Sequence, residues 1–160
     1  MRAIVDIETD AINATKIHCI VARNAETGET RHWIGDQCRE FGEWSKKIDT
    51  FIMHNGISFD APLLNKFTGS DIKVNQIDDT LIKSQLYNPI RDGGHSLEAW
   101  GNFLGHKKGD YHDFSHFNEE MLKYCYIDTA VTKETYEYLQ TEGKKFSEKS
   151  YDLEREVRSI

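Results

Sequence analysis

The chain has 160 residues, 38% of them apolar and 29% charged, which is enough for one globular domain with a sizeable core and excludes a disordered segment. Its formal net charge is −7. That argues against a broad basic nucleic-acid-binding face, although bound divalent cations would offset the charge wherever a phosphate approached.

Ala3 to Asp6 is apolar and β-branched and reads as a buried strand. Ile17 to Ala22 and Thr30 to Ile34 flank the turn Glu26-Thr27-Gly28-Glu29 and read as a hairpin. Gln37 to Lys47 places Phe41 and Trp44 among polar residues, which predicts a surface helix. Thr50 to His54 is a fourth strand, closed by Asn55-Gly56. Asp60 starts a helix, with Pro62 in its first turn, where proline is tolerated. Lys73 to Ile77 reads as a fifth strand, and Asp79 as the cap of a helix through Leu86. Ser96 caps Leu97 to Leu104, which stops at Gly105. Gly105 to His116 reads as a polar loop. Asn118, Glu119 and Glu120 open the longest helix, to about Leu139. Leu153, Val157 and Ile160 space as one apolar line at the end of the chain, which packs on the domain, awaits a partner, or frays. This order predicts a mixed sheet with helices packed on its faces.

Cys19, Cys38 and Cys125 show no CxxC spacing and read as reduced intracellular thiols. With no signal peptide and no membrane-length apolar run, a cytoplasmic protein without a membrane partner is expected.

Four acids stand in apolar company, where an unpaired charge is costly. Asp6 and Glu8 are two apart on a strand and share a face. An edge strand with one wet face would explain them; the Ala3-Ile4-Val5 and Ile7 neighbours argue instead for a covered strand whose acids need a cation. Asp60 follows a strand and a turn, where it can cap a helix and also face a ligand. Asp128 interrupts the helical stripe Met121, Tyr124, Val131, Thr135, Tyr138, with Tyr124 one turn before it. The histidines form no HExxH or Cys/His cluster, and His112 with His116 falls in a loop, which argues against structural zinc. Asp78-Asp79-Thr80 reads as a strand end and helix cap, with a supporting role at the site as the alternative.

At these residues the chain resembles the DEDD 3′-5′ exonucleases of the RNase H-like, DnaQ-like group. Asp6-Ile7-Glu8-Thr9, His54-Asn55-Gly56-Ile57-Ser58-Phe59-Asp60 and Tyr124 to Asp128 match its three motifs in order. Lys123 stands where the histidine branch has its general base, and Tyr124 stands at the tyrosine branch's position, so the match is to the DEDDy type. His95-Ser96-Leu97-Glu98-Ala99-Trp100-Gly101, Lys107-Lys108-Gly109-Asp110-Tyr111 and Phe117-Asn118-Glu119-Glu120-Met121 resemble the proofreading domain of podophage family A DNA polymerases.

The resemblance implies an α/β, RNase H-like mixed five-stranded sheet with helices on both faces. Residues 1–145 would form the exonuclease domain and 146–160 a helical segment leading toward a polymerase domain. It implies two divalent cations, Mg2+ or Mn2+, held by Asp6, Glu8, Asp60 and Asp128, with Asp6 bridging them and Tyr124 orienting the attacking water. Thr9 and Asn55 would contact the terminal nucleotide, although Asn55 also suits the turn before Gly56. The implied substrate is single-stranded DNA or a frayed primer 3′ end, and a DNA polymerase polypeptide is an implied partner. The loop from Gly105 to Phe117 is shorter than in those relatives, and no polymerase sequence follows Ile160, which suggests an excised domain or the product of a split gene. An RNA-trimming exonuclease shares the same acids, and a non-catalytic docking module is the alternative from a different class.

Overall fold

A computed structural model describes residues 1–106 and 113–160; His112 and the tract 107–111 lie outside the described residues. Five strands form one mixed sheet: β1 (Arg2–Thr9), β2 (Ile17–Asn24), β3 (Thr30–Ile34), β4 (Thr50–Met53) and β5 (Ile77–Asp79), in the order β3-β2-β1-β4-β5. β1 runs antiparallel to β2 and parallel to β4, and β4 runs parallel to β5. The helices are α1 (Phe41–Trp44), α2 (Ala61–Thr68), α3 (Thr80–Tyr87), α4 (Leu97–Leu104), α5 (Glu119–Glu142) and α6 (Glu148–Arg158).

Side-chain alternation on the central strand decides which helix covers which face. Ala3, Val5 and Ile7 of β1 join Phe51 and Met53 of β4 in a core with Phe41 of α1 and Ala61 and Leu64 of α2. On the opposite face Ile4 and Ile52 meet Tyr136 of α5, while Cys19 and Val21 of β2 meet Met121, Leu122 and Cys125. Trp100 of α4 packs with Val131 and Leu139 of α5 in a cluster of its own. Burial of each such Ile, Val or Leu side chain contributes ~1.5–3 kcal/mol, so the central strand is pinned from both sides. The expected α/β architecture with helices on both faces is the one observed.

Three local expectations are corrected, and one that was left open is decided. Residues 35–47 form two 3-10 turns around the single turn of α1, and Phe41 is fully buried rather than at a surface: it packs edge-on against Trp33 at 5.1 Å, beside Trp44. The fifth strand is Ile77–Asp79, not Lys73 to Ile77; Val74–Gln76 is a 3-10 turn in which Gln76 Oε1 accepts the Lys73 N–H at 2.9 Å, and Val74 is exposed, so no inner face exists there. The buried stripe of α5 runs through Met121, Cys125, Asp128, Thr132, Thr135 and Leu139, which leaves Tyr124 at its margin and Tyr138 exposed against Trp100 and Phe103. Last, α6 docks through Tyr151, whose hydroxyl accepts the Asp79 N–H at 2.6 Å and donates to the Ile77 carbonyl at 3.0 Å. It thereby finishes the edge of β5. Leu153, Val157 and Ile160 face outward.

Candidate active site

The site lies where β1 outruns its neighbour. β1 pairs with β4 only from Arg2 to Ile4, and β4 ends at Met53, whereas pairing with β2 continues to Asp6 opposite Val21 and Glu8 opposite Cys19. The flank that β4 leaves open is filled by the turn that follows it. Asn55 takes the left-handed conformation, φ 65°, which asparagine tolerates better than most residues. At Gly56 a Cβ would stand 2.4 Å from Met53, so only glycine fits. A π-helical turn over Gly56–Asp60 then delivers Asp60 to the interior at the head of α2.

Asp79, at the end of β5, holds that turn. Its Oδ1 accepts the Asn55 N–H at 2.9 Å and the Leu81 N–H at 3.0 Å, and its Oδ2 accepts the Ile57 N–H at 3.2 Å. One carboxylate therefore caps α3 and fixes the loop carrying Asp60. The cap is legible in Asp78-Asp79-Thr80; the grip on Asn55 and Ile57 is not, because those partners come from another strand end.

Asp6 and Glu8 occupy the α5 face of β1, half-buried. α5 starts at the Asn118 cap, whose side chain accepts the Met121 N–H at 2.9 Å, and carries Tyr124, Cys125 and Asp128 across that face. Cys125 Sγ lies 3.4 Å from both the Asp6 carbonyl and Asp6 Oδ2. One ligand atom each from Asp6, Glu8 and Cys125 lies within 4.8 Å of the others, the one such cluster among the described residues. Burial keeps the Cys125 thiol protonated, well above the ordinary thiol range, and Cys19 and Asp6 add to the shift.

Asp60 faces the same space. Burial, then the neighbouring carboxylates of Asp79, Glu8 and Asp128, push its pKa well above the usual carboxylate range. Its Oδ2 is buried, and no described residue hydrogen-bonds to it. Asp128 is buried on α5, and Tyr124 sits half-buried one turn before it, with Lys123 exposed beside it. The structure thus brings all four predicted acids to one end of the sheet.

An open cleft of about 320 Å³ adjoins the acids, lined by Ile7, Glu8, Thr9, Asp10, Ala11, Ile12, Phe59 and Phe114. Thr9 is buried and donates its hydroxyl to the Ala11 carbonyl at 3.0 Å. Ile12 is almost fully exposed. The Phe114 carbonyl can only accept, so His18 donates to it through Nε2 at 2.8 Å and ties that loop to β2. The apolar lining carries no sequence signal, since Ile12 and Phe114 lie in segments without periodicity. Asn55 is exposed near the site with its backbone committed to the turn. His54 does not ligate: it bridges the Thr80 hydroxyl and the His95 carbonyl, each at 2.8 Å, and burial lowers its pKa to about 4.

This chain is 26% identical to the DNA polymerase of Escherichia phage T7 and to that of Enterobacteria phage T3 over an alignment of 191 positions. The chain is homologous to these polymerases. The match covers 88% of the chain but only 27% of each polymerase, so the chain spans about a quarter of their length. An alignment longer than the chain itself means that the polymerases carry insertions relative to it. No family model matches the chain. Among solved structures, Brucella melitensis NrnC bound to pGG superposes with a TM-score of 0.72 at 16% identity, over 98% of this chain and 78% of that one. Phi29 DNA polymerase complexed with primer-template DNA gives 0.60 at 14% identity over 89% and 32%. Exonuclease X in complex with 5′ overhanging duplex DNA gives 0.52 at 14% identity over 97% and 99%. These likenesses show the RNase H-like fold. No described helix is long and apolar enough to cross a membrane.

Proposed function

We propose that the chain is a metal-dependent 3′-5′ exonuclease that shortens DNA from its 3′ end and releases nucleoside 5′-monophosphates. The observation that carries this reading is Asp60: a buried carboxylate beside Glu8, Asp128 and Asp79, with one oxygen that no described residue satisfies. Several carboxylates crowded at one strand end cost free energy unless a cation joins them. Asp6, Glu8, Asp60 and Asp128 would hold two hard divalent ions, Mg2+ or Mn2+, through oxygen donors. Such a pair, when bound, supplies a water of lowered pKa and charge compensation at the leaving 3′ oxygen. Tyr124, at the margin of the buried stripe, would orient the attacking water. The lining of Ile12, Phe59 and Phe114 takes the apolar face of the terminal base, while Thr9 and Asn55 meet the nucleotide's polar edge.

The relatives support the class. The homologues are polymerases, NrnC has been solved with bound Mg2+, and Phi29 DNA polymerase and Exonuclease X with DNA. We place the nuclease domain at residues 1–145 and read 146–160 as a link toward a polymerase polypeptide, for which the activity would be proofreading. The test is a 5′-labelled oligonucleotide, as single-stranded DNA, as a primer with a frayed 3′ end, and as matched RNA, incubated with Mg2+ or EDTA. A descending DNA ladder in Mg2+ alone is the expected result. Faster RNA shortening would move the assignment to RNA trimming, and no shortening of any substrate would overturn it.

A further inference from the structure

The turn that carries Asp60 is an unusual piece of backbone. Asn55 stands at φ 65°, and Gly56–Asp60 winds as a π-helical turn. Both are sparsely populated conformations that gather at functional sites and persist only where the surrounding structure over-determines them. Asp79 supplies one anchor, through the N–H groups of Asn55 and Ile57. His54, at the strand side of the turn, supplies the other. The His95 carbonyl can only accept, so His54 Nε2 carries the proton and donates to it at 2.8 Å. Burial keeps the ring neutral above about 4, so Nδ1 is bare and accepts from the Thr80 hydroxyl, also at 2.8 Å. The Met53 carbonyl, at 3.3 Å, is the more distant acceptor for that hydroxyl.

These bonds tie the turn to a segment that holds none of the acids. Residues 88–96 join α3 to α4, and a closed network around Ser84 fixes them. Arg91 Nε at 3.1 Å and Trp100 Nε1 at 3.0 Å both donate to the Ser84 hydroxyl oxygen, whose own proton therefore goes to His95 Nδ1 at 2.7 Å. His95 Nε2 then donates to the Pro89 carbonyl at 3.2 Å. Arg91 also pairs with Glu142 at the end of α5 and lies 4.5 Å from the centre of the Trp100 ring. The His95 carbonyl is thus presented to His54 by a segment pinned to α3, α4 and α5.

We propose that His54 is a positioning residue of the nuclease: bonded to Thr80 and to the His95 carbonyl, it holds the 55–60 turn so that Asn55 meets the terminal nucleotide and Asp60 its metal. This rests on the nuclease reading of the strand-end acids. Because Asp79 bonds the turn independently, loss of His54 falls first on Asn55, its neighbour in the chain, and so on nucleotide binding.

The experiment compares wild type, His54→Gln and His54→Phe by two readouts. The first is amide hydrogen exchange of the metal-free full chain. The Asn55 and Ile57 N–H groups should exchange faster in His54→Phe, whereas His54→Gln, which keeps an N–H for the His95 carbonyl, should stay near wild type. The second is steady-state shortening of 5′-labelled single-stranded DNA in Mg2+. KM should rise by ~10–100-fold in His54→Phe, the scale of loss from an ångström's misplacement, with kcat changed far less and most of the loss recovered in His54→Gln. A role confined to stability would instead lower kcat, through a smaller folded fraction, at unchanged KM. Unchanged KM in His54→Phe, or unchanged exchange at both N–H groups, overturns the inference and leaves the nuclease reading standing. Wild type that cuts no DNA overturns both. If His54→Phe does not fold, Thr80→Val, which removes one of the two bonds, carries the same comparison.

Discussion

Replacing Asp79 by alanine should loosen the turn that carries Asp60, and the size of the effect follows from three hydrogen bonds. The Leu81 N–H loses its cap, a change that typically costs ~1 kcal/mol. The Ile57 N–H is buried and loses its acceptor at ~1–3 kcal/mol, whereas the Asn55 N–H, on an exposed residue, can turn to water at little cost. Removing one of the charges that crowd Asp60 returns part of this. The net expectation is ~2 kcal/mol, or a melting temperature lower by ~4–8 °C at this chain length. Asp79→Asn keeps one carbonyl oxygen for Asn55 and Leu81 and loses the bond to Ile57, so it should lie between wild type and alanine. Thermal unfolding in EDTA measures both variants, and Mn2+ titration of the folded proteins measures whether Asp60 still delivers its oxygen; affinity should fall ~10–100-fold, as for other supporting residues. A melting temperature for Asp79→Ala within ~1 °C of wild type would refute the reasoning, because it would mean that these three bonds contribute almost nothing.

Other expectations follow from the same structure. His54 is held down to about 4, below its ordinary ~6.5 when unfolded, so the fold should lose up to ~3 kcal/mol as pH falls from ~6.5 to ~4; His54→Gln should flatten that limb in pH-resolved denaturant melts. Asp60 has the opposite sign. Its folded pKa is raised, so metal-free protein should lose stability as pH rises from the ordinary carboxylate range through that pKa, and Asp60→Asn should remove the slope. Tyr151→Phe leaves the Asp79 N–H without an acceptor, while Arg155 still donates to the Ile77 carbonyl at 3.2 Å; ~1–3 kcal/mol should be lost, seen as a lower melting temperature and faster proteolysis of the 146–160 segment. Tyr124→Phe should slow single-turnover DNA hydrolysis with little change in Mn2+ affinity; an unchanged rate would remove the tyrosine from the reaction.

Much of the sheet was legible because the apolar runs of β1, β2 and β4 are bounded by clear turns. β5 was misplaced because it has only three residues, two of them aspartates with different tasks: Asp79 grips the turn, while Asp78 pairs with the buried Lys83 at 2.8 Å. α1 was misread for a similar reason: Phe41 and Trp44 look sparse in sequence, yet they fold under Trp33 in an aromatic cluster. At the site, Asp6 with Glu8, and Asp128, announced themselves as acids in apolar runs. Asp60 was readable as a strand-end acid, but its missing partner is a property of three dimensions. Cys125 read only as a reduced thiol, because its closeness to Asp6 depends on how α5 crosses β1. The outward face of Leu153, Val157 and Ile160 shows that an apolar spacing marks a face without saying whether this domain covers it.

The central question is whether the four acids hold metals that cut DNA. The decisive measurement compares wild type, Asp6→Ala and Asp60→Ala on 5′-labelled single-stranded DNA in Mg2+, with circular dichroism of the same samples. Removing either acid should abolish shortening while the spectrum stays native, a loss of at least ~100-fold for groups whose metals supply both the nucleophile and the leaving-group charge. Unimpaired shortening by either folded variant would contradict it.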